Sequence, residues 1–166
     1  MKLIFCIDDK SGLMFFGKRQ SQDQNLREWI LNYAQGSKLW MSPYSAKQFG
    51  NNASVLADDD YMVKAEENDV CFIEDGSYSI DNANEIVLCK WNRHYPADKF
   101  FDTDLKALGF KKVKTEDIAG TSHEKITQSK HTRGNDDESI TEVISGITVS
   151  CYVVFPCRLR LGFDSE

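Results

Sequence analysis

The sequence predicts an α/β domain in which a mainly parallel central sheet is flanked by helices. Residues 3–7 form a continuous apolar run that ends at Asp8 and Asp9, which is typical of a strand buried on both faces. Further along the chain, short apolar runs alternate with segments of helical periodicity. Parallel strands joined by helical crossovers produce this alternation.

The first helix is predicted from residue 23 to about residue 35. Four hydrophobic side chains recur at i, i+3, i+4 and i+7 and share one face, namely Leu26, Trp29, Ile30 and Tyr33. Asp23 stands at the N-cap position, and Gly36 stands where a left-handed C-cap is expected.

The remaining elements are shorter. Strands are expected over residues 38–41, 55–57, 70–73, 86–91 and 110–115. Ser42 and Pro43 are suited to begin a short helix, because they are favoured as N-cap and first helical residue. This helix is expected to stop at Gly50, and the polar stretch around His123 is expected to be a solvated edge.

The domain organisation follows from a change in composition. Residues 1–129 are predicted to form the α/β domain, and residues 130–142 a mobile polar linker rich in Asp, Glu, Ser and Thr. Residues 143–166 form an apolar C-terminal extension. Its core, residues 144–155, is expected either to add a hairpin to the domain or to dock a partner, including a second copy of the chain.

Composition excludes several classes of protein. The 166 residues carry a formal net charge of -6, whereas non-specific nucleic-acid binding needs a basic face. No apolar run reaches the roughly 20 residues that span a bilayer, so no membrane partner is expected. The five cysteines include no CxxC pair, which predicts reduced thiols in a cytoplasmic protein and no metal site.

Polar side chains follow the buried strands at their carboxyl ends, where open α/β sheets bind ligands. The candidate catalytic residues are Asp8, Glu74 and His94. The candidate ligand-binding residues are Arg19, Ser21, Tyr44, Ser45, Asn92 and Arg93. If their strands are parallel neighbours, these side chains share one rim of the sheet and form a polar cleft.

Each candidate also has a purely structural explanation. Asp8 can cap a turn, and His94 can hydrogen-bond within the scaffold. Arg93 can form an ion pair with Glu74 or with Asp98. Several such groups are expected on one rim. Together they indicate a ligand site more strongly than any one of these residues does alone.

Over residues 1–128 the order of elements resembles the dihydrofolate reductase fold. The segments that carry this resemblance are the first strand with its Gly-containing loop, the helix with Leu26, Trp29 and Ile30, Gly36-Ser37-Lys38 before Leu39-Trp40-Met41, the turn from Ser42 to Gly50, Asn92-Arg93-His94-Tyr95-Pro96, and residues 110–116 and 122–130. The resemblance implies a three-layer architecture.

The departures from that family fall on its functional positions. The family has an acidic residue in the first helix, where this chain has Gln24-Asn25-Leu26. It has a Gly-Gly cofactor loop, where this chain has Glu74-Asp75, and a basic residue where this chain has Ser42-Pro43. Because bulky carboxylates repel pyrophosphate, we expect no tight NADPH binding.

Other segments resemble a small group of bacterial proteins, some of which carry a ribonuclease Z label. These segments are FCIDD, KRQSQD, LWMSPYSAKQF, WNRHYPAD and SHEKIT. The label implies zinc held by closely spaced histidines and aspartates. The histidines here are His94, His123 and His131, which are far apart and include no HxH.

The sequence therefore favours a protein that binds or acts on a small anionic, nucleotide-like molecule in a polar cleft. Three alternatives stay open. They are an NADPH-dependent reductase, a phosphodiesterase or nuclease that uses Asp8, Asp9 and Glu74 to hold Mg²⁺, and a non-catalytic interaction protein. The sequence identifies no cofactor.

Overall fold

The computed structural model describes residues 1–134. The strands are β1 (Lys2–Ile7), β2 (Gly12–Phe15), β3 (Lys18–Arg19), β4 (Leu39–Met41), β5 (Val55–Ala57), β6 (Val70–Ile73), β7 (Glu85–Lys90), β8 (Lys99–Phe100), β9 (Phe110–Ile118) and β10 (Ile126–Arg133). The helices are α1 (Gln24–Tyr33), α2 (Pro43–Ala46) with a 3₁₀ turn at Lys47–Phe49, and α3 (Tyr61–Lys64). None of the helices in this part of the chain is long and apolar enough to cross a membrane.

A seven-stranded sheet forms the centre of the domain, in the order β5-β4-β6-β1-β7-β10-β9. The first five strands in this order pair in parallel. The last two, β10 and β9, are antiparallel to their neighbours. The predicted α/β fold with a mainly parallel central sheet is therefore confirmed, and β1 lies at the centre because its side chains are apolar on both faces.

The two faces of the sheet carry separate apolar cores. On one face, Ile4 and Cys6 pack with Leu26 and Ile30 of α1. On the other face, Leu3, Phe5 and Ile7 pack with side chains from the loops and from a small second sheet, including Leu13, Met14, Phe101 and Leu105. That second sheet has the strand order β3-β2-β8. The domain therefore has three layers. On the face opposite α1, the small sheet covers part of the area where flanking helices were expected.

The ends of α1 follow the sequence signals. Asp23 Oδ1 accepts hydrogen bonds from the backbone N–H groups of Asn25 and Leu26, which satisfies two of the free donors at the helix start. Gly36, just beyond the helix, adopts a φ of 85°. This left-handed conformation suits glycine.

The predicted boundary at residue 130 is corrected by the structure, since residues 130–133 continue β10. Their side chains are polar, but their backbone pairs with β7 on one side and β9 on the other. A strand held on both sides needs no apolar run of its own. The rest of the expected linker and the whole C-terminal extension, residues 135–166, lie outside the described residues.

Candidate functional site

The carboxyl end of β6 delivers Glu74 into a buried group of polar side chains. Its carboxylate is only 5% exposed, and its Oε1 lies 3.2 Å from Nε of Arg19. Burial raises the pKa of Glu74, while Arg19 and the nearby Ser45 and Gln48 side chains oppose that rise. The Ser45 side chain is positioned by α2, which follows β4 at the same edge. We call Arg19, Gln20, Tyr44, Ser45, Gln48 and Glu74 the Glu74 cluster.

Arg19 makes its ion pair, a stacking contact and a hydrogen bond within this cluster. Its guanidinium group lies 4.5 Å from the centre of the Tyr44 ring, and its Nη2 donates to the Tyr44 carbonyl oxygen at 2.9 Å. The Tyr44 hydroxyl in turn accepts from the backbone N–H of Arg19 at 2.9 Å. Arg19, predicted to bind a ligand, is therefore held by Tyr44 and Glu74.

Several buried polar atoms of the cluster have no hydrogen-bond partner among residues 1–134. They are Nε of Arg19, Oε2 of Glu74, both amide atoms of Gln20 and Nε2 of Gln48. An unpaired buried polar group costs about 1–3 kcal/mol, so such groups usually contact water or a ligand. Space for Gln20 depends on Gly12, because an added Cβ there would lie 2.5 Å from Gln20 Nε2.

Asp8, at the end of β1, is a buried carboxylate that caps a turn. Its Oδ1 accepts from the backbone N–H groups of Lys10 at 2.8 Å and Gly12 at 2.7 Å, and its Oδ2 accepts from that of Tyr95 at 3.0 Å. Against the effect of burial, these donors lower the pKa of Asp8. These contacts are those of a residue that caps a turn, which was the structural explanation for Asp8. A carboxylate of lowered pKa is also a weak proton acceptor.

His94 lies beside Asp8 at the surface. Its Nδ1 is 3.2 Å from Asp8 Oδ2, and its side chain is 58% exposed. The ring is therefore oriented by a buried carboxylate while its other edge faces solvent. Ser21 is half-buried, and its side chain makes no hydrogen bond to any of the described residues.

The turn after β7 holds Asn92 and presents Arg93. Asn92 has a φ of 55°, and its amide donates to the Lys125 carbonyl and to Thr127 Oγ1, both at 3.0 Å. Arg93 is exposed. Within residues 1–134 its guanidinium forms no ion pair, so neither Glu74 nor Asp98 holds it as the structural explanation required.

Arg93 borders an open cleft of about 320 Å³. The other lining residues are Trp91, Asn92, Glu124 and Lys125. This cleft lies between the end of β7 and the start of β10. We call it the Arg93 cleft.

A buried network that the sequence analysis missed lies next to this cleft. His123, expected at a solvated edge, is buried and stacks on Trp91 with ring centres 4.7 Å apart. Its Nε2 lies 2.9 Å from the Tyr95 hydroxyl, and its Nδ1 lies 3.0 Å from Ser122 Oγ. Asp23 Oδ2 completes the network, 3.5 Å from His123 Nδ1.

Asp23 also anchors the loop before β10. Its Oδ2 accepts from the backbone N–H groups of Thr121 and Ser122, both at 2.8 Å. Burial alone would raise the pKa of Asp23, but hydrogen bonds from the backbone and side chain of Ser122, from the Leu26 N–H and from His123 hold it well below its usual range. The N-cap pattern of α1 predicted one half of this role. The other half depends on a loop about a hundred residues away in sequence, which no local pattern reveals.

The predicted site residues thus divide into separate groups along one edge. Arg19, Tyr44, Ser45 and Glu74 form one, Asp8 and His94 form another, and Asn92 and Arg93 belong to the cleft. In the described part of the chain, no three His, Cys, Asp or Glu side chains are arranged to hold a metal ion.

Comparison with known proteins supports the fold and no more. No protein-family model matches the chain, and no curated protein matches it. Among solved structures, it is similar to dihydrofolate reductase from Enterococcus faecalis complexed with NADP(H) and RAB-propyl. The TM-score is 0.57 at 14% identity, covering 81% of this chain and 96% of that chain. The protein therefore has a dihydrofolate reductase-like fold.

Proposed function

We propose that the protein binds a small anionic molecule, such as a phosphate ester, in the Arg93 cleft. The observation that carries this proposal is an exposed guanidinium with no ion pair within residues 1–134, at the border of a cleft of about 320 Å³. A guanidinium fork matches the oxygens of phosphate and carboxylate. Arg19, the other arginine considered for this role, is already engaged by Glu74.

The backbone beneath Arg93 is fixed while its side chain is free. The Arg93 carbonyl accepts from the backbone N–H of Asp9 at 3.0 Å, and the preceding Asn92 is held by its two hydrogen bonds. Because this backbone is already ordered, binding costs only the conformational freedom of the Arg93 side chain. This arrangement suits an anchor for a ligand.

Lys125 adds a second positive charge to the cleft. It pairs with Asp117 at 3.2 Å, and both side chains are about half exposed. Since exposed ion pairs contribute only about 0–1 kcal/mol, Lys125 can turn to a bound anion at little cost. His94 follows Arg93 in sequence, and its Nδ1 lies 3.2 Å from Asp8 Oδ2, outside the residues that line the cleft.

NADP(H), with which the similar reductase is complexed, does not fit the residues of this chain. The loop after β6 begins with Glu74 and Asp75, and burial raises the pKa of both carboxyl groups. Arg19, which offsets the charge of Glu74, is itself stacked on Tyr44. Pyrophosphate needs small residues and free N–H groups at such a loop, so we assign no hydride-transfer step to this protein.

The Arg93→Ala variant tests the proposal. The full-length protein is titrated with inorganic phosphate and with a nucleoside monophosphate, and binding is followed by calorimetry and thermal shift. We expect binding to weaken about tenfold or more, and unfolding free energy to change by less than about 0.5 kcal/mol because the side chain is exposed.

Lys106→Ala is the matched control. It removes one exposed positive charge at a distance from the cleft, so any general electrostatic effect appears in both variants. Equal loss of binding in the two variants, unchanged binding in Arg93→Ala, or no binding of either probe to the wild type would contradict the proposal.

A further inference from the structure

We propose that a second cavity, between α1 and the β7-β10-β9 part of the sheet, binds an uncharged planar heterocycle with a ring N–H beside a carbonyl. The cavity has a volume of about 180 Å³ and is lined by Trp29, Tyr33, Val87, Lys114, Glu116, Gln128 and Lys130. A water molecule occupies about 30 Å³ in the liquid, so the cavity is large enough for a small organic molecule.

Strand pairing builds the floor of this cavity. Val87 is paired with Lys130, which is paired with Lys114. In the next row Cys89 is paired with Gln128, which is paired with Glu116. Both rows lie on the face covered by α1, because Val87 and Cys89 belong to the core that α1 helps to form. The sheet therefore points these side chains at the helix.

α1 supplies an aromatic wall. Trp29 and Tyr33 are one helical turn apart, and their rings stack with centres 4.9 Å apart and planes inclined by 20°. Each ring is only partly buried. A flat, apolar ligand surface would gain contact with this wall.

Gln128 supplies the polar recognition. Its side chain is buried, with the residue 3% exposed, yet neither its Nε2 nor its Oε1 has a hydrogen-bond partner among residues 1–134. The Tyr33 hydroxyl is also buried and unpaired within the same part of the chain. A carboxamide offers one donor beside one acceptor, which is the complement of a ring N–H beside a carbonyl.

The charges at the rim argue for an uncharged ligand. Lys130 Nζ lies 2.7 Å from Glu85 Oε2, and Lys114 Nζ lies 2.6 Å from Glu116 Oε1. The charges of these two pairs are thus locally balanced, and a further cation, Lys2, has its Nζ over the Tyr33 ring, 5.7 Å from the ring centre. This distinguishes the cavity from the Arg93 cleft.

The test uses the full-length protein with uracil and hypoxanthine as probes. Binding is measured by calorimetry and by the Gln128 side-chain amide resonance, which is assigned from its absence in Gln128→Leu. We expect both probes to bind and to shift this resonance. 1,3-Dimethyluracil, which lacks a ring N–H, should bind at least tenfold more weakly than uracil.

Gln128→Leu should weaken binding tenfold or more, whereas Gln35→Leu, which changes an exposed amide at the end of α1, should leave binding unchanged. A second readout is the denaturation midpoint of the ligand-free protein. Leucine removes an unpaired buried amide, so the midpoint should stay equal or rise.

Three results would overturn the proposal. They are no binding of either probe at millimolar concentration, equal binding of 1,3-dimethyluracil and uracil, or a lowered midpoint in Gln128→Leu. The last result would mean that the amide has a structural partner in the folded chain.

Discussion

Asp8 and Glu74 are two buried carboxylates at the same edge of the sheet, and their pKa values are shifted in opposite directions. Backbone N–H groups surround Asp8 and, against the effect of burial, lower its pKa. Glu74 is paired with one guanidinium, and burial raises its pKa. The balance between burial and hydrogen-bond donors therefore has opposite outcomes for these two carboxylates.

The sequence located these residues but not their partners. Both residues stand directly after an apolar run, and such runs can be recognised in the sequence itself. The donors to Asp8 come from a tight turn and from Tyr95, far along the chain. Likewise, nothing local to Arg19 indicates that it turns towards Glu74, so its ligand-binding role could not be weighed against this ion pair.

Asp23→Asn is expected to destabilise the protein by roughly 3 kcal/mol near neutral pH, because hydrogen bonds to a buried charged group and an N-cap are both weakened. The folded-state pKa lies below 3.8, the ordinary value for an aspartate. The contribution is therefore complete above that value and declines as the pH falls through and below it.

Urea denaturation near pH 7 and near pH 3 measures this effect. The difference between Asp23→Asn and wild type should be smaller at the lower pH. Asp59→Asn, at an exposed position, is the control and should differ little from wild type at either pH. A pH-independent difference for Asp23→Asn would show that its charge is not the stabilising feature.

At the scale of the elements, α1 buries Leu26 and Ile30 against the sheet. Leu26 is 2% exposed and packs against the sheet, whereas Leu108, in a surface turn, is 49% exposed. Leu26→Ala should lower the unfolding free energy by about 2–5 kcal/mol, the range for truncation in a core. Leu108→Ala should change it by less than about 0.5 kcal/mol.

Chemical denaturation of both variants measures these differences. Similar values for the two would mean that α1 is held less firmly than its burial indicates.

The central strands were predictable from the sequence, whereas the end of β10 and the two-residue strands β3 and β8 were not. β1, β6 and β7 carry apolar runs that identify them as central strands. The end of β10 is polar and depends on pairing with β7 and β9, so its composition resembles that of a linker. The strands β3 and β8 have two residues each, too few to show any periodicity.

Residues 1–134 have a dihydrofolate reductase-like fold, and the loop after β6 begins with Glu74 and Asp75. We therefore expect NADPH to bind more weakly than roughly 10 micromolar. Calorimetric titration of the full-length protein measures this, with a dihydrofolate reductase as positive control under the same conditions. Binding in the low micromolar range, or transfer of hydride, would contradict the expectation.

The central position of β1 has a consequence for synthesis on the ribosome. Among the described strands β1 is made first, and both of its neighbours, β6 and β7, lie far along the chain. Until those strands emerge, the apolar residues of β1 have no partner and depend on transient collapse or on chaperones. Contacts between distant residues also slow folding, so completion of the sheet must come late, after most of the domain has left the exit tunnel.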